Sequence, residues 1–302
     1  MYLKNMFKGL FLLIITLLLG NTNLSAQINP MAAQYFQNTY LANPAMAGVN
    51  QGIRLNMGYR NQWSNIQGSP RNLSVTADYG GEKVGVGLNF YKDEAGLLTR
   101  SKLQATYAYH LPLNNDEGKL HFGISLGLQT NSLNTQNIVG SGNDLSAMRY
   151  NDQENILDGD FGMAYSDKKF RIEGSISNLK NQLQIEDNEI ADYATFMTAF
   201  TYMTQVSDWQ VHPKLVYRGV KNFNDILDMG LELRTPDDQL GFMSMYHTNK
   251  SMSFGLTYQK LKQWQLLVLY NTPVQALKSY ATGTFEIGLQ LNAGGIFKGK
   301  RK

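Results

Sequence analysis

The sequence predicts an all-β protein: a transmembrane antiparallel β-barrel of about fourteen strands behind a short N-terminal segment. Three observations predict it. The chain opens with an export signal, and no later apolar run is long enough for a spanning helix. Apolar and polar residues then alternate with period 2 across residues 52–292. The links between alternating segments are short and long by turns.

Residues 1–26 read as a signal peptide. Lys4 and Lys8 give a basic start, Leu10 to Leu19 an apolar core interrupted by Thr16, and Leu24-Ser25-Ala26 a small-residue cleavage site. A core of this length is too short to cross about 30 Å of hydrocarbon. The chain has no Cys, which excludes lipoprotein processing, a disulfide scaffold, a Cys-ligated metal and a Cys nucleophile. Cleavage before Gln27 removes two Lys and no acid. The 27 basic residues fall to 25 against 24 acidic, so the net charge falls from +3 to +1. Charged residues are 17%, against roughly 25% in soluble proteins. Mean hydropathy is −0.31, too polar for a helical membrane protein. No basic patch stands out, so a nucleic-acid partner is not expected.

Residues 27–51 do not alternate. Asn29-Pro30, Asn43-Pro44 and Gly48 mark turns, while Tyr35, Phe36 and Tyr40 make the segment too apolar for a disordered tail. Three placements stay open: a plug in the lumen, a cover across the periplasmic mouth, or a flexible leader.

The barrel is expected over 52–292. Ile53, Leu55, Met57 and Tyr59 alternate with Arg54, Asn56, Gly58 and Arg60. Leu120, Phe122, Ile124, Leu126 and Leu128 alternate with His121, Gly123, Ser125, Gly127 and Gln129. Similar segments begin near 72, 84 and 102, and continue at 159–166, 168–177, 193–205, 209–218, 225–235, 238–246, 251–260, 263–271 and 282–292. Alternation is poor in 193–205, 238–246 and 263–271. Most segments approach the roughly 9–11 residues of a tilted spanning strand. Short links at 80–81, 167, 206–208, 236–237 and 261–262 oppose longer ones at 61–70, 93–98, 131–158 and 178–192; 112–118 and 247–250 break the rule. Outer-membrane barrels keep short turns on the periplasmic side, which places both chain ends there.

The apolar face meets lipid, with Tyr59, Tyr79, Tyr107, Tyr109, Trp209, Tyr217, Tyr258, Trp264 and Tyr270 as girdles. The polar face carries Arg54, Arg60, Lys102, Arg171, Lys214, Arg218 and Arg234 against Asp78, Asp160, Glu173, Asp228, Glu232 and Glu286. An ion-selective pore favours one sign of charge. The balance predicts a lumen of ion pairs around a plug or a narrow water path. Residues 293–302 form a basic periplasmic tail ending in Lys298, Lys300, Arg301 and Lys302.

Gln34-Tyr35, then Leu41 to Gly48 with Asn43, Pro44, Ala45 and Gly48, then Tyr59-Arg60-Asn61-Gln62-Trp63, resemble the N-terminal signature of the PorP/SprF family. The last strand, Gly283 to Leu289, is similar to that family's end. Asn29, Met31 and Ala32 depart from its usual pattern. The resemblance implies a Bacteroidetes outer-membrane barrel of the type IX secretion and gliding system. It implies as partners a secreted cargo with a C-terminal sorting domain and periplasmic machinery, besides outer-membrane lipid.

Candidate partner-binding residues are Tyr59, Arg60, Asn61, Gln62 and Trp63 at the outer rim, since Trp and Arg favour hot spots; the alternative is a girdle Trp and a lumen Arg. Asp144 and Asp152 in the long loop 131–158 are candidates for cargo contact, the alternative being a solvated loop. Its acids are of the type that bind Ca²⁺, but no spacing fits a known loop. No metal or cofactor is expected. His247 and Ser251 flank a turn and read as surface polar residues, and no catalytic motif occurs, so the barrel is expected not to be an enzyme. The expected function is anchoring of a secreted surface protein. The alternative is a channel for small hydrophobic molecules.

Overall fold

A computed structural model describes residues 34–113, 118–134, 150–151, 155–182, 195–220, 225–260, 263–274 and 278–293. The signal peptide and most of the basic tail lie outside them. The strands are β1 (Gly52–Asn61), β2 (Arg71–Gly80), β3 (Val84–Ala95), β4 (Leu98–Leu113), β5 (Gly118–Leu133), β6 (Ile156–Asp167), β7 (Phe170–Ser177) and β8 (Thr195–Tyr202). They continue with β9 (Thr204–Val206), β10 (Trp209–Val220), β11 (Ile226–Arg234), β12 (Leu240–His247), β13 (Ser251–Lys260), β14 (Trp264–Asn271) and β15 (Thr284–Asn292). β8 and β9 both pair with β10 and are one strand interrupted at Met203. The described segments therefore make fourteen antiparallel strands.

Each strand pairs with its sequence neighbours, and β1 also pairs with β15, from Arg54 opposite Asn292 to Asn61 opposite Phe285. Closure gives every ladder a partner on both sides, which an open sheet in lipid lacks. The wall faces outward with Leu, Val, Ile, Phe and Tyr and inward with polar residues. Tyr258 stacks edge-on against Trp264, and Tyr270 tilts against Phe285, within the girdles.

Two details depart from the sequence reading. The 93–98 link is a two-residue turn, because β3 runs to Ala95 and Gly96 takes a left-handed φ of 61°. The lumen is not polar all round. Met197, Ala199, Val216, Met243, Met245, Leu267 and Leu269 form an apolar cluster inside the barrel, with Ala42 and Phe36 against it. That cluster explains the three poorly alternating segments, whose inward positions are apolar as well as their outward ones.

The 235–239 turn shows how the short turns are made. Thr235 N donates to Leu240 O, and Asp237 Oδ1 accepts from the Thr235 hydroxyl and the Gln239 N–H. These bonds hold the exposed Asp237 carboxyl below its usual range. The stability they add is present above the ordinary carboxylate pKa and is lost as pH falls through the lowered one. Solvent screening keeps it small.

Candidate functional site: the occupied lumen and the outer rim

The N-terminal segment folds through two Asn caps. Asn38 Oδ1 accepts from Leu41 N at the start of the short helix Thr39–Ala42. Asn43 Oδ1 accepts from Ala45 N at the start of a 3₁₀ turn, Pro44–Met46, with Pro at its first position. An Asn cap followed by Pro is a favoured helix start, because Pro has no N–H to leave unsatisfied. Gly48 then takes φ 67°, in the left-handed region open to Gly. The quoted motif thus encodes a compact turn whose small residues face outward to the wall.

That turn lies inside the barrel, and its polar groups reach the strands around it. Gln34 bonds to Glu286 on β15, and Gln37 bonds to Glu232 on β11 and to Gln265 on β14. Asn38 Nδ2 donates to Thr76 Oγ1 on β2 (3.1 Å), and the Tyr40 hydroxyl to Thr106 Oγ1 on β4 (2.7 Å). Asn43 Nδ2 donates to Met163 O on β6 (3.2 Å), and Ser175 Oγ on β7 to Ala42 O (2.8 Å). Gly48 N donates to Asp78 Oδ2 (2.9 Å), whose carboxylate also pairs with Arg54. Tyr40, Asn43, Ala45, Met46 and Ala47 are fully buried. The wall makes room for them. Gly123 on β5 and Gly162 on β6 are register partners, and a Cβ at either would fall on the segment, at the Pro44–Ala45 backbone or at Asn43 Oδ1. A cavity of about 30 Å³ remains beside Gln34, Gln37 and Asn38, room for about one water.

Two buried His chains accompany this packing. His110 Nε2 lies 3.1 Å from Ala47 O, a group that can only accept. With its ring neutral, His110 then accepts at Nδ1, and His121 Nδ1, 2.8 Å away, carries the shared hydrogen. On the opposite wall, His247 Nδ1 lies 2.6 Å from Asp228 Oδ1 and its Nε2 2.6 Å from Ser253 Oγ, while Arg218 holds Asp228 at 2.8 Å. His247 is 2% exposed, not at the surface as its place beside a turn suggests, because the end of β12 stays within the wall. Asp228, His247 and Ser253 have the composition of a nucleophilic triad, but all three are buried in the wall. Ser253 also donates its hydrogen to Asn271.

The remaining lumen charges pair as their shared inward face requires. Lys102 meets Asp160 at 3.2 Å, Arg171 meets Glu173 at 2.8 Å, and Arg234 meets Glu232 at 3.1 Å. Arg60 stands opposite Glu286 in the register.

The candidate rim residues divide. Tyr59 points outward into the girdle and Arg60 inward, where it is buried. Asn61 ends β1, Gln62 Nε2 donates to Asn72 Oδ1 at 3.0 Å, and Trp63 opens the following loop with φ 47°. Strand alternation keeps Tyr59 and Arg60 off any common surface. Asp144 and Asp152 lie outside the described residues. Sequence reasoning did not single out Asn65 and Tyr280, which the structure joins: Asn65 Nδ2 donates to Tyr280 O at 3.0 Å.

A closed wall with an apolar exterior, short turns at one end and a lumen filled by its own leader defines an outer-membrane β-barrel. The chain belongs to the type IX secretion system membrane protein PorP/SprF family, whose profile matches residues 24–291. No curated protein sequence matches it. Among solved structures it is similar to the Acinetobacter baumannii outer membrane protein Omp33, at 8% identity and TM-score 0.48, over 81% of this chain and 99% of that one. It is similar also to the CymD monoaromatic hydrocarbon channel, at 10% identity and TM-score 0.49, over 89% and 94%.

Proposed function

We propose that the barrel is a non-enzymatic anchor that holds a secreted surface protein, through that protein's C-terminal sorting domain, at its outer rim. The observation that carries this reading is the seated segment 34–48, bonded to strands around the lumen. A barrel whose bore is occupied by its own chain is suited to binding at its ends rather than to conduction. The periplasmic mouth is then the face for secretion machinery. Membership of a type IX secretion family supports the setting. Ser253 is fully buried and donates its hydrogen to Asn271, which argues against hydrolysis.

A second reading, a channel for small hydrophobic molecules, is favoured by one observation: the apolar cluster around Phe36 inside the lumen. Gentle-detergent purification with mass spectrometry separates the two. A co-purifying secreted protein with a sorting domain, released to the medium when the barrel gene is deleted, is the expected result. Large, stable conductance of the purified barrel in liposomes with no such protein would favour the channel.

A further inference from the structure

The outer ends of β1 and β15 are neighbours, so the loops that follow β1 and precede β15 meet above the rim. They are joined there. Asn65 Oδ1 accepts from Thr282 N and from Thr282 Oγ1, both at 2.9 Å, while its Nδ2 donates to Tyr280 O. Ser64 Oγ lies 3.4 Å from Thr282 Oγ1. Gly96 N donates to Gly68 O at 2.8 Å and ties in the β3–β4 turn. Inside the first loop, Gln62 N bonds to Pro70 O and Ile66 N to Trp63 O. None of these bonds is needed to close the barrel, whose paired register ends at Asn61 and Phe285. They fix exposed backbone in water, at an entropic cost that buries almost nothing.

The platform they fix is chemically distinctive. Tyr280 is 78% exposed, more than any other large hydrophobic residue among those described, and Ile66 and Leu97 are 38% and 36% exposed beside the same loops. Residues 61–70 include no charge; Arg71 and Lys278 stand exposed at the edges. Trp, Tyr, Ser, Asn, Gln and Gly are the residues with which binding loops recognise folded proteins, since rigid rings give contact area at low entropic cost and small polar groups adapt. A ring exposed on a fixed loop is pre-organised for such contact.

We propose that residues 62–70 and 278–283 form the docking platform for the secreted protein, with Tyr280 as its anchor and Asn65 as the residue that positions it. This rests on the anchoring reading above. The partner's matching face is an uncharged protein surface with an apolar notch for the phenol ring, edged by acidic side chains facing Arg71 and Lys278.

The test uses the full-length barrel in its native outer membrane. Benzoylphenylalanine in place of Tyr280 is photo-crosslinked, with the same probe at lipid-facing Tyr59 as control. Y280A, Y280F and N65A are compared for co-purification of secreted proteins that carry a sorting domain. Y280A and N65A are expected to cut co-purification roughly tenfold or more, as loss of a hot spot does. Y280F should restore it, because the ring remains. N65A should also lower crosslinking from position 280 while heat-modifiable gel mobility stays that of the folded barrel. Undiminished co-purification in Y280A and N65A overturns the platform and leaves the anchor intact. Absence of any such protein from the wild-type barrel overturns the anchor itself. Crosslinking at 280 to lipopolysaccharide alone also overturns the platform.

Discussion

Replacing Asp228 by Ala is expected to cost the barrel about 3–5 kcal/mol, the effect of removing one partner of a buried ion pair. Asp228 is fully buried and accepts from Arg218 Nε at 2.8 Å, Arg218 Nη2 at 3.2 Å and His247 Nδ1 at 2.6 Å. Arginine cannot shed its charge, so the truncation takes from a buried guanidinium the carboxylate to which its Nε and Nη2 donate. His247, which also meets Ser253 on β13, loses its bond to Asp228, so the damage reaches β10, β11, β12 and β13 together. D228N keeps the shape and one acceptor, and should fall between the two. D237A is the control, since Asp237 is an exposed acid in a turn and its loss should leave unfolding nearly unchanged. Urea unfolding of the detergent-folded barrel, followed by gel mobility and tryptophan fluorescence, measures all three. A D228A barrel that unfolds at the wild-type urea concentration would refute the argument.

That network shows how far the sequence can be read. Asp228 and Glu232 lie an even number of residues apart on an alternating strand, so their common inward face was legible, as was that of Arg218. Which of them pair was not, because pairing follows from register across β10, β11 and β12, and register is a long-range property. The same limit hid the apolar half of the lumen. Met243 and Met245 look lipid-facing on a strand whose other face is also apolar; only closure of the wall shows that they point to Phe36. Period 2 assigns faces reliably where one face is polar, as in β1 and β5, and fails where both are apolar. Asn65 and Tyr280 lie more than two hundred residues apart and meet only because β1 pairs with β15. The motif from Asn43 to Gly48 was legible as turn chemistry. Its seat was not, because that seat is made of glycines on β5 and β6, which in sequence are just small members of a polar face.

The glycine seat supports the second large expectation. G123V should unseat the leader and open the bore. Gly123 has no left-handed φ, so valine suits its strand backbone, and the ladder to β4 and β6 should survive. Its side chain, however, would occupy the space of the Pro44–Ala45 backbone, and backbone cannot swing aside as a flexible side chain does. Overpacking of this kind is relieved only by moving one partner. The leader is the partner free to move, since the wall is held by continuous ladders. Its anchors at Thr106, Met163 and Ser175 surround the blocked site and would be lost with it. A fourteen-stranded wall is wider than the eight-stranded barrels that side chains alone can fill, and close to the porins that leave a water channel. Single-channel conductance in planar bilayers should therefore rise by roughly an order of magnitude over the wild type. Protease should cut the leader in G123V and spare it in the wild type. G174V is the matched control, because a Cβ there meets nothing nearer than Met163 Cγ at 3.8 Å. Should G123V remain as closed and as protease-resistant as G174V, the leader does not depend on this seat, and occlusion of the lumen would need another cause.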